Sequence, residues 1–156
     1  MPVKPHASKS KNKTFVSDSY KIIDANFNRA KEGLRVCEEI LRFHLKNAIL
    51  TKKFRALRHS LTNRIKASRL NQRSLFYERD VSEDFGKTFG PQETQENFLQ
   101  IFLSNAQRVK EALRVLEEFL KLFDASTSKK IQFLRFNFYV LEKECVKKFP
   151  SLLNSR

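Results

Sequence analysis

The chain has few of the residues that interrupt helices. Its 156 residues include three glycines and four prolines, and they contain no tryptophan. Lysine, glutamate, leucine, arginine and phenylalanine are common instead, and such a composition favours helices over a fold of strands and tight turns. The 15 phenylalanines predict a core built from phenylalanine and leucine. We therefore predict an all-α protein.

Cysteine and histidine are scarce as well. Two cysteines are too few for a disulfide framework or a four-cysteine zinc site. The three histidines show no spacing typical of a catalytic triad or a metal site, and no glycine-rich phosphate loop is present. The common zinc, disulfide and P-loop classes are therefore excluded.

Long apolar runs are also absent. No segment approaches the roughly 18 apolar residues that span a bilayer, and no signal-peptide core follows Met1. We therefore expect a soluble cytoplasmic protein without a membrane partner. Acidic residues are in the minority, and the net charge is +14. Such a charge attracts anions, among them nucleic acids and phosphorylated small molecules.

The chain contains one polar segment twice. Residues 26–39 read NFNRAKEGLRVCEE and residues 105–118 read NAQRVKEALRVLEE, an offset of 79 residues. A packed helix needs to keep only its apolar positions, so identity at the polar positions requires another cause. A duplicated helical unit with a polar site between its copies is one such cause.

The repetition extends to a second helix in each copy. Phe54-x-x-Leu57-Arg58 matches Ile131-x-x-Leu134-Arg135, so each repeat is a hairpin of two helices. The two hairpins together predict a four-helix bundle. The predicted helices cover about Ser17–Asn47, Leu50–Ser68, Glu93–Phe123 and Ser128–Phe149.

The sequence also predicts how the chain is divided. Residues 1–16 are basic and show no apolar periodicity, which is typical of a disordered tail. Residues 17–156 form one helical domain. Its hairpins cover about 17–68 and 93–149, and a long loop over 69–92 joins them.

Rotation by 100° per residue divides the repeated segment into faces. The apolar stripe contains Phe27, Ala30, Leu34, Cys37 and Leu41. The charged residues on the opposite face are predicted to form ion pairs that are exposed to solvent. They are Lys31, Arg35, Glu38, Glu39 and Arg42. Polar or small residues fall inside the apolar arc in both copies, and these are Asn26, Arg29 and Gly33 with their counterparts Asn105, Arg108 and Ala112.

Arg29 and Arg108 are the strongest candidates for function. An arginine buried without a partner is destabilising by about 3–5 kcal/mol, so each needs a carboxylate or an anionic ligand. Glu32 and Glu111 would supply internal carboxylates and form a network that fixes how the hairpins pack. The alternative is a polar cavity in which the arginines bind phosphate oxygens.

The predicted loop over residues 69–92 is a second candidate. It mixes charged and aromatic residues, and long loops without structure are uncommon unless they are functional or disordered. Asp80 and Asp84 would hold Mg²⁺ together with substrate phosphates, and Arg79 would add a phosphate contact. The alternative is an ordinary connection with a surface salt bridge.

Three segments resemble a known family. Residues 23–36, IDANFNRAKEGLRV, together with Arg79-Asp80-Val81 and Glu111–Glu118, resemble the helical domain fused before thiamin-phosphate synthase in many bacteria. That family is the non-ribokinase type of hydroxymethylpyrimidine-phosphate kinase. The resemblance covers about residues 18–124. It implies transfer of the ATP γ-phosphoryl group to hydroxymethylpyrimidine phosphate in thiamin biosynthesis.

The resemblance implies ATP and Mg²⁺ as cofactors and a small phosphorylated pyrimidine as substrate. The 156 residues include no synthase domain, so a separate thiamin-phosphate synthase is expected to use the product. The acceptor is already a phosphate anion, so no strong base is required. Our own assignment is Arg29, Arg108 and Arg79 for phosphates, Asn26, Asn105, Glu32 and Glu111 for the pyrimidine substrate, and Asp80 and Asp84 for Mg²⁺.

Two rival interpretations remain open. A helical nucleic-acid-binding or adaptor module would use the basic charge, and its affinity would fall steeply with salt. Glutamate alternates with arginine on the outer face of both repeats, which argues against a nucleic-acid partner. A non-catalytic partner of a thiamin enzyme would keep the fold without the chemistry. Whichever function is correct, a bundle built from two similar hairpins would bind its ligand either between its own halves or across a homodimer.

Overall fold

The structure is a computed structural model that describes residues 7–79, 81–84, 86 and 97–150. These residues form helices and turns and contain no β-strand, so the all-α prediction is confirmed. The helices are α1 (Ala7–Phe43), α2 (Ala48–Lys66), α3 (Gln72–Tyr77), α4 (Phe98–Leu120) and α5 (Ala125–Val146). In these ranges, no helix carries an apolar stretch long enough to cross a bilayer.

The four long helices share one core. α1 packs against α2 and α4, and α5 packs against α2 and α4. The ring of Phe54 lies at the centre, with its centroid 6.0 Å from that of Phe102 and 5.7 Å from that of Phe138. All three rings are fully buried among leucines and isoleucines. The core is therefore rich in phenylalanine and leucine, as the composition predicts.

α1 and α4 carry the two copies of the repeated segment and run antiparallel. Near one end of the pair, the ring centroids of Tyr20 and Phe123 lie 5.3 Å apart. Further along, at the crossing, a Cβ added to Gly33 would lie only 2.8 Å from Val109 Cγ2. Glycine fits this close approach, because an added Cβ would force the side chain of Val109 or the two helices to move.

A polar N-cap closes each hairpin turn. Asn47 Oδ1 accepts a hydrogen bond from Leu50 N at 3.0 Å, and Asp124 Oδ1 accepts one from Thr127 N at 3.0 Å. Asp124 Oδ2 also accepts from Arg69 N at 3.0 Å, which ties the end of the first hairpin to the start of α5. Hydrogen bonds from the backbone of Thr127 and Arg69 lower the pKa of Asp124 to about 2.

Two segments that the sequence predicts to be non-helical are helical. α1 begins at Ala7, so residues 7–16 of the predicted tail are helical. Apolar periodicity reports which face is buried, and a polar segment that lacks glycine and proline forms a helix without showing it. Within the predicted loop, α3 begins after Asn71, whose Oδ1 accepts from Ser74 N at 3.0 Å. α4 begins at Phe98, whereas the predicted start at Glu93 lies outside the described residues.

Candidate functional site

Arg29 and Arg108 are exposed, although rotation places both inside the apolar arc. Arg29 Nη1 donates to Asn26 Oδ1 at 3.0 Å. Arg108 makes no hydrogen bond or ion pair within the described residues. Arg108 directly precedes Val109 at the crossing of α1 and α4, and Arg29 lies one turn before Gly33, so both side chains start at the edge of the contact between the two helices. The expectation of burial fails because a long side chain starting at that edge carries its guanidinium into solvent.

The repeated asparagines occupy equivalent environments. Asn26 Nδ2 donates to Ile22 O at 2.9 Å, and Asn105 Nδ2 donates to Ile101 O at 2.9 Å. Asn26 is buried and Asn105 is half-buried. Each amide therefore bonds its own helix, and its amino group is already partly used.

Glu32 and Glu111 are exposed as well. Glu111 Oε1 accepts from Gln107 Nε2 at 2.9 Å. Among the described residues, neither glutamate pairs with Arg29 or Arg108. The alternative of a packing network between these glutamates and arginines is therefore absent from this part of the chain.

The buried carboxylate of the first copy is Glu38, which is 0% exposed. It accepts hydrogen bonds from Arg35 Nη1 at 3.3 Å, Arg55 Nε at 3.0 Å and Arg58 Nε at 3.0 Å. Burial raises the pKa of Glu38, but the hydrogen bonds from Arg58 and Arg55 outweigh it and lower the pKa overall. The prediction of a solvated position is wrong because Arg55 and Arg58 come from α2, which rotation of α1 alone does not show.

Glu117 is held in the same way in the second copy. It is 2% exposed and accepts from Arg114 Nη1 at 3.0 Å and Arg135 Nε at 2.9 Å. The hydrogen bond to Glu117 raises the pKa of Arg135. Gln132 takes the place of Arg55 in this hairpin. The glutamate of the repeated Arg-x-x-Glu thus joins the two helices of each hairpin. This explains part of the identity between the polar positions of the two copies.

A groove of about 420 Å³ opens between α4 and α5, and we call it the α4–α5 groove. Lys110 Nζ lies 5.7 Å from the centroid of the Tyr139 ring, and the guanidinium of Arg135 lies 6.0 Å from it. The lining residues are Gln107, Lys110, Glu111, Arg114, Val115, Arg135 and Tyr139. Arg114 also lines the groove, and each of the three cations pairs with a carboxylate: Lys110 with Glu142, Arg114 with Glu117 and Glu118, and Arg135 with Glu117. Cations beside an aromatic ring suit a small aromatic molecule that carries a phosphate.

A second cavity of about 490 Å³ lies where the end of α1 meets the start of α4, and we call it the α1–α4 pocket. His44 stacks on Phe98, with ring centroids 4.2 Å apart and an interplanar angle of 23°. The lining residues are Arg35, Val36, Glu39, Ile40, Phe43, His44, Phe98 and Ile101. Sequence reasoning missed both cavities because each combines residues from two helices.

Arg79 pairs with a carboxylate. Its Nε and Nη2 donate to the two oxygens of Asp24, each at 2.7 Å, and Asp24 is only 4% exposed. These hydrogen bonds raise the pKa of Arg79. Near the start of α3, the Tyr20 hydroxyl accepts from Asn71 N at 3.0 Å. Arg79 therefore holds the segment around α3 on α1, and part of its donor capacity is used.

The structure describes one of the two predicted metal ligands. Asp84 is exposed, and its Oδ1 accepts from Gly86 N at 2.9 Å. Asp80 lies outside the described residues. Within residues 7–79, 81–84, 86 and 97–150, no three histidine, cysteine or acidic side chains converge as metal ligands. The Mg²⁺ site therefore stays a prediction.

Comparison with known proteins identifies the family. The ThiD2 family model matches residues 21–144. The chain is 36% identical over 142 residues to the thiamine-phosphate synthase of Nostoc punctiforme, which covers 90% of this chain and 38% of that protein. It is 39% identical over 125 residues to the thiamine-phosphate synthase of Thermosynechococcus vestitus, with 79% and 34% covered.

A third relative gives the same result. The thiamine-phosphate synthase of Rhodopirellula baltica is 32% identical over 134 residues, which covers 85% of this chain and 35% of that protein. The chain thus spans about a third of the length of the curated relatives it matches. No solved structure matches it.

The matched range includes both copies of the repeated segment and both buried glutamates. It also includes every residue that lines the α4–α5 groove. The chain therefore belongs to the ThiD2 family, a family of thiamin biosynthesis.

Proposed function

We propose that the protein phosphorylates hydroxymethylpyrimidine phosphate with ATP and so forms the diphosphate used in thiamin biosynthesis. Family membership supports the pathway, and the resemblance to the non-ribokinase kinases supports the reaction. The observation that carries the proposal is the α4–α5 groove, where Lys110 and Arg135 lie beside the ring of Tyr139 and Arg114 adds a third cation to the lining. Its volume of about 420 Å³ suits a phosphorylated pyrimidine.

The groove residues have separate roles in this proposal. Phosphoryl transfer brings two polyanions together, so catalysis depends on charge neutralisation and positioning more than on a base. Lys110 and Arg114 would bind the phosphate of the acceptor, and Tyr139 would pack against the pyrimidine ring. Glu111 would accept a hydrogen bond from the amino group of the pyrimidine.

The repeated arginines would act on the transferred group. Arg108 follows Gln107 of the groove directly, and its guanidinium is exposed and unpaired within the described residues. It is available to bind the γ-phosphoryl group between donor and acceptor. Arg29 would bind phosphate from the other side of the crossing through the N–H groups that Asn26 leaves open. Asn105 would add a hydrogen-bonding carbonyl near the crossing.

Mg²⁺ fits this scheme as an ion held largely by the phosphates of ATP. Exposed Asp84 would add a carboxylate, and Asp80 is the second carboxylate that the sequence offers. When bound, the ion neutralises charge on the β- and γ-phosphates.

A coupled assay tests the reaction. Purified protein receives MgATP and hydroxymethylpyrimidine phosphate, together with an independent thiamin-phosphate synthase and its thiazole phosphate. Thiamin phosphate is expected to form only when the protein is present. If the folded protein gives none, while the coupling enzyme uses authentic diphosphate, the proposal is wrong. Nucleic-acid binding that weakens steeply with salt would then support the rival binding module.

Replacement of Arg108 tests the role of the repeated arginine. Arg108→Gln is expected to lower kcat/KM by about 10²–10³-fold, because it removes a cation at the transferred group. The midpoint of thermal unfolding should not change, since the guanidinium is exposed. Arg64→Gln removes the same charge from an exposed position of α2 and serves as the control. Equal activity of both variants and the unaltered protein would rule out a catalytic Arg108.

A further inference from the structure

The two ends of the α1–α4 pair are not alike. At one end Phe123 packs against Tyr20, whose hydroxyl accepts from the backbone of Asn71. The counterpart of Phe123 in the first copy is His44, 79 residues earlier, which stacks on Phe98 at the other end. That end contains the α1–α4 pocket of about 490 Å³. Aromatic side chains therefore pack against each other at the Tyr20–Phe123 end of the α1–α4 pair, whereas the His44–Phe98 end contains a pocket.

The lining of the α1–α4 pocket suits a flat aromatic group. Phe43 and Phe98 are large apolar side chains, yet they remain 62% and 48% exposed. The stack of Phe98 on His44 shows that rings at this end pack face to face, so a third ring would gain contacts of the same kind. Arg35 Nη2 and Glu39 Oε1, 3.0 Å apart, supply the polar groups that would orient it.

Both cavities lie along α4. Ile101 lines the α1–α4 pocket, and Gln107 lines the α4–α5 groove six residues later, about 9 Å along the helix axis. Arg108 follows Gln107 with its exposed, unpaired guanidinium, as far as the described residues show. A chain of several phosphates is long enough to cover that interval, whereas a single phosphate is not.

We propose that the α1–α4 pocket binds the aromatic base of the nucleotide donor, with its phosphate chain directed along α4 to Arg108. The pyrimidine phosphate then occupies the α4–α5 groove. This inference rests on the proposed function and adds the placement of the two substrates.

Charge complementarity favours this occupant over the reverse order. The base is uncharged, and among the described residues the charged groups that line its pocket, Arg35 and Glu39, pair with each other. The reverse order would leave the acceptor phosphate in a pocket lined mainly by apolar side chains, away from the three cations that line the α4–α5 groove. A second copy of this chain is the alternative occupant, and the effect of Phe98→Ala on self-association separates it from the base.

Binding titrations of the full chain test the assignment. The probes are MgATP, magnesium tripolyphosphate and hydroxymethylpyrimidine phosphate. Phe43→Ala and Phe98→Ala are each expected to weaken MgATP binding about tenfold, the usual effect of losing one ring that stacks on a base. Affinity for tripolyphosphate and for the pyrimidine phosphate should stay within about twofold of the unaltered protein, since neither probe places a group in the α1–α4 pocket.

Phe133→Ala is the matched control. It removes the same ring from a site on α5 that is 72% exposed and lines neither cavity, so all three affinities should be unchanged. All three variants remove exposed rings, and their unfolding midpoints verify that each one folds.

Several outcomes would overturn the inference. Unchanged MgATP affinity in Phe43→Ala and Phe98→Ala would show that the base does not bind in this pocket. If these variants instead bind the pyrimidine phosphate more weakly, the acceptor occupies the α1–α4 pocket. Self-association of the unaltered protein that Phe98→Ala abolishes would make the pocket an interface between copies.

The coupled assay separates the two proposals. Normal turnover with an unchanged KM for MgATP in Phe98→Ala would support the proposed reaction and contradict binding of the base in the α1–α4 pocket. If MgATP binding depends on Phe98 but the coupled assay forms no thiamin phosphate, the nucleotide site is supported and the proposed reaction is wrong.

Discussion

At the scale of single residues, the repeated polar positions divide into two groups. Glu38 and Glu117 are buried and hold arginines from the next helix, whereas Arg29 and Arg108 are exposed at the crossing. The duplication in the sequence singled out Arg29 and Arg108 as candidates, and their role stays a prediction. Burial of Glu38 was not predictable, because the arginines that cover it are contributed by α2 and become visible only once the helices are packed.

Glu117→Gln is expected to lower the free energy of unfolding by about 3 kcal/mol, because it leaves Arg135 without its carboxylate at a site that is only 12% exposed. Glu118→Gln is the matched control one residue later, where solvent screens the ion pairs with Arg114 and Lys121. Urea unfolding of both variants measures the difference. Equal loss in the two variants would contradict a structural role for the buried glutamate.

Gly33→Ala is expected to lower the free energy of unfolding by about 1–2 kcal/mol, because overpacking exceeds the gain in helix propensity. The added Cβ would meet Val109 Cγ2 at 2.8 Å and Asn105 O at 3.0 Å. The double variant Gly33→Ala/Val109→Ala should recover part of the loss. It recreates the alanine pair that the repeat already has at the counterpart positions, Ala112 and Ala30. A more stable single variant would show that helix approach is not limiting there.

At the scale of helices, the sequence was most informative where an apolar stripe coincides with a capping residue. α2 and α5 follow Asn47 and Asp124, and their predicted starts lie within three residues of the observed ones. Two features of the fold left no such pattern. The first turns of α1 have no apolar stripe, and α3 is one short helix held by contacts such as Arg79 with Asp24, which are distant in sequence.

Asp124→Ala is expected to lower the free energy of unfolding at pH 7 by about 1–2 kcal/mol, the usual value of an N-cap. The pKa of Asp124 in the folded state is about 2, below its ordinary value of 3.8. Its carboxylate therefore contributes its full stabilisation above about pH 4, and that contribution is lost as the pH falls through the folded-state pKa. The difference between the variant and the unaltered protein should shrink between pH 4 and about pH 2.

Asp124→Asn separates capping from charge. An amide oxygen caps α2 at Asn47, so asparagine should retain most of the stability at pH 7. Its stability should fall less steeply in acid than that of the unaltered protein. Unfolding by urea at several pH values measures both effects, and a difference between Asp124→Ala and the unaltered protein that is constant from pH 7 to 2 would exclude the titration of Asp124.

At the scale of the whole molecule, neither hairpin has a complete core. Ala106, Val109 and Ala112 of α4 are fully buried, and Val109 lies against Gly33 of α1. The all-α class followed from composition, and the duplication led to the prediction of two paired hairpins. The two cavities could not be predicted, because their walls combine side chains from different helices.

Residues 93–156 alone are therefore expected to show little helical circular dichroism, since separation exposes the apolar face of α4 to water. Mixing with a fragment of residues 1–92 should restore the helical signal of the full chain. A fragment that unfolds cooperatively without its partner would contradict the view that the α1–α4 contact completes the core.

Because both hairpins belong to one polypeptide, the two ends of the α1–α4 pair can acquire different amino-acid substitutions. A symmetric pair of identical hairpins would receive every substitution at both ends at once. In this chain the counterpart of Tyr20 is Leu99, and the counterpart of Phe123 is His44, so each end carries its own set of side chains. One end is free to become a rigid support while the other becomes a binding surface, and neither change is copied to the other end.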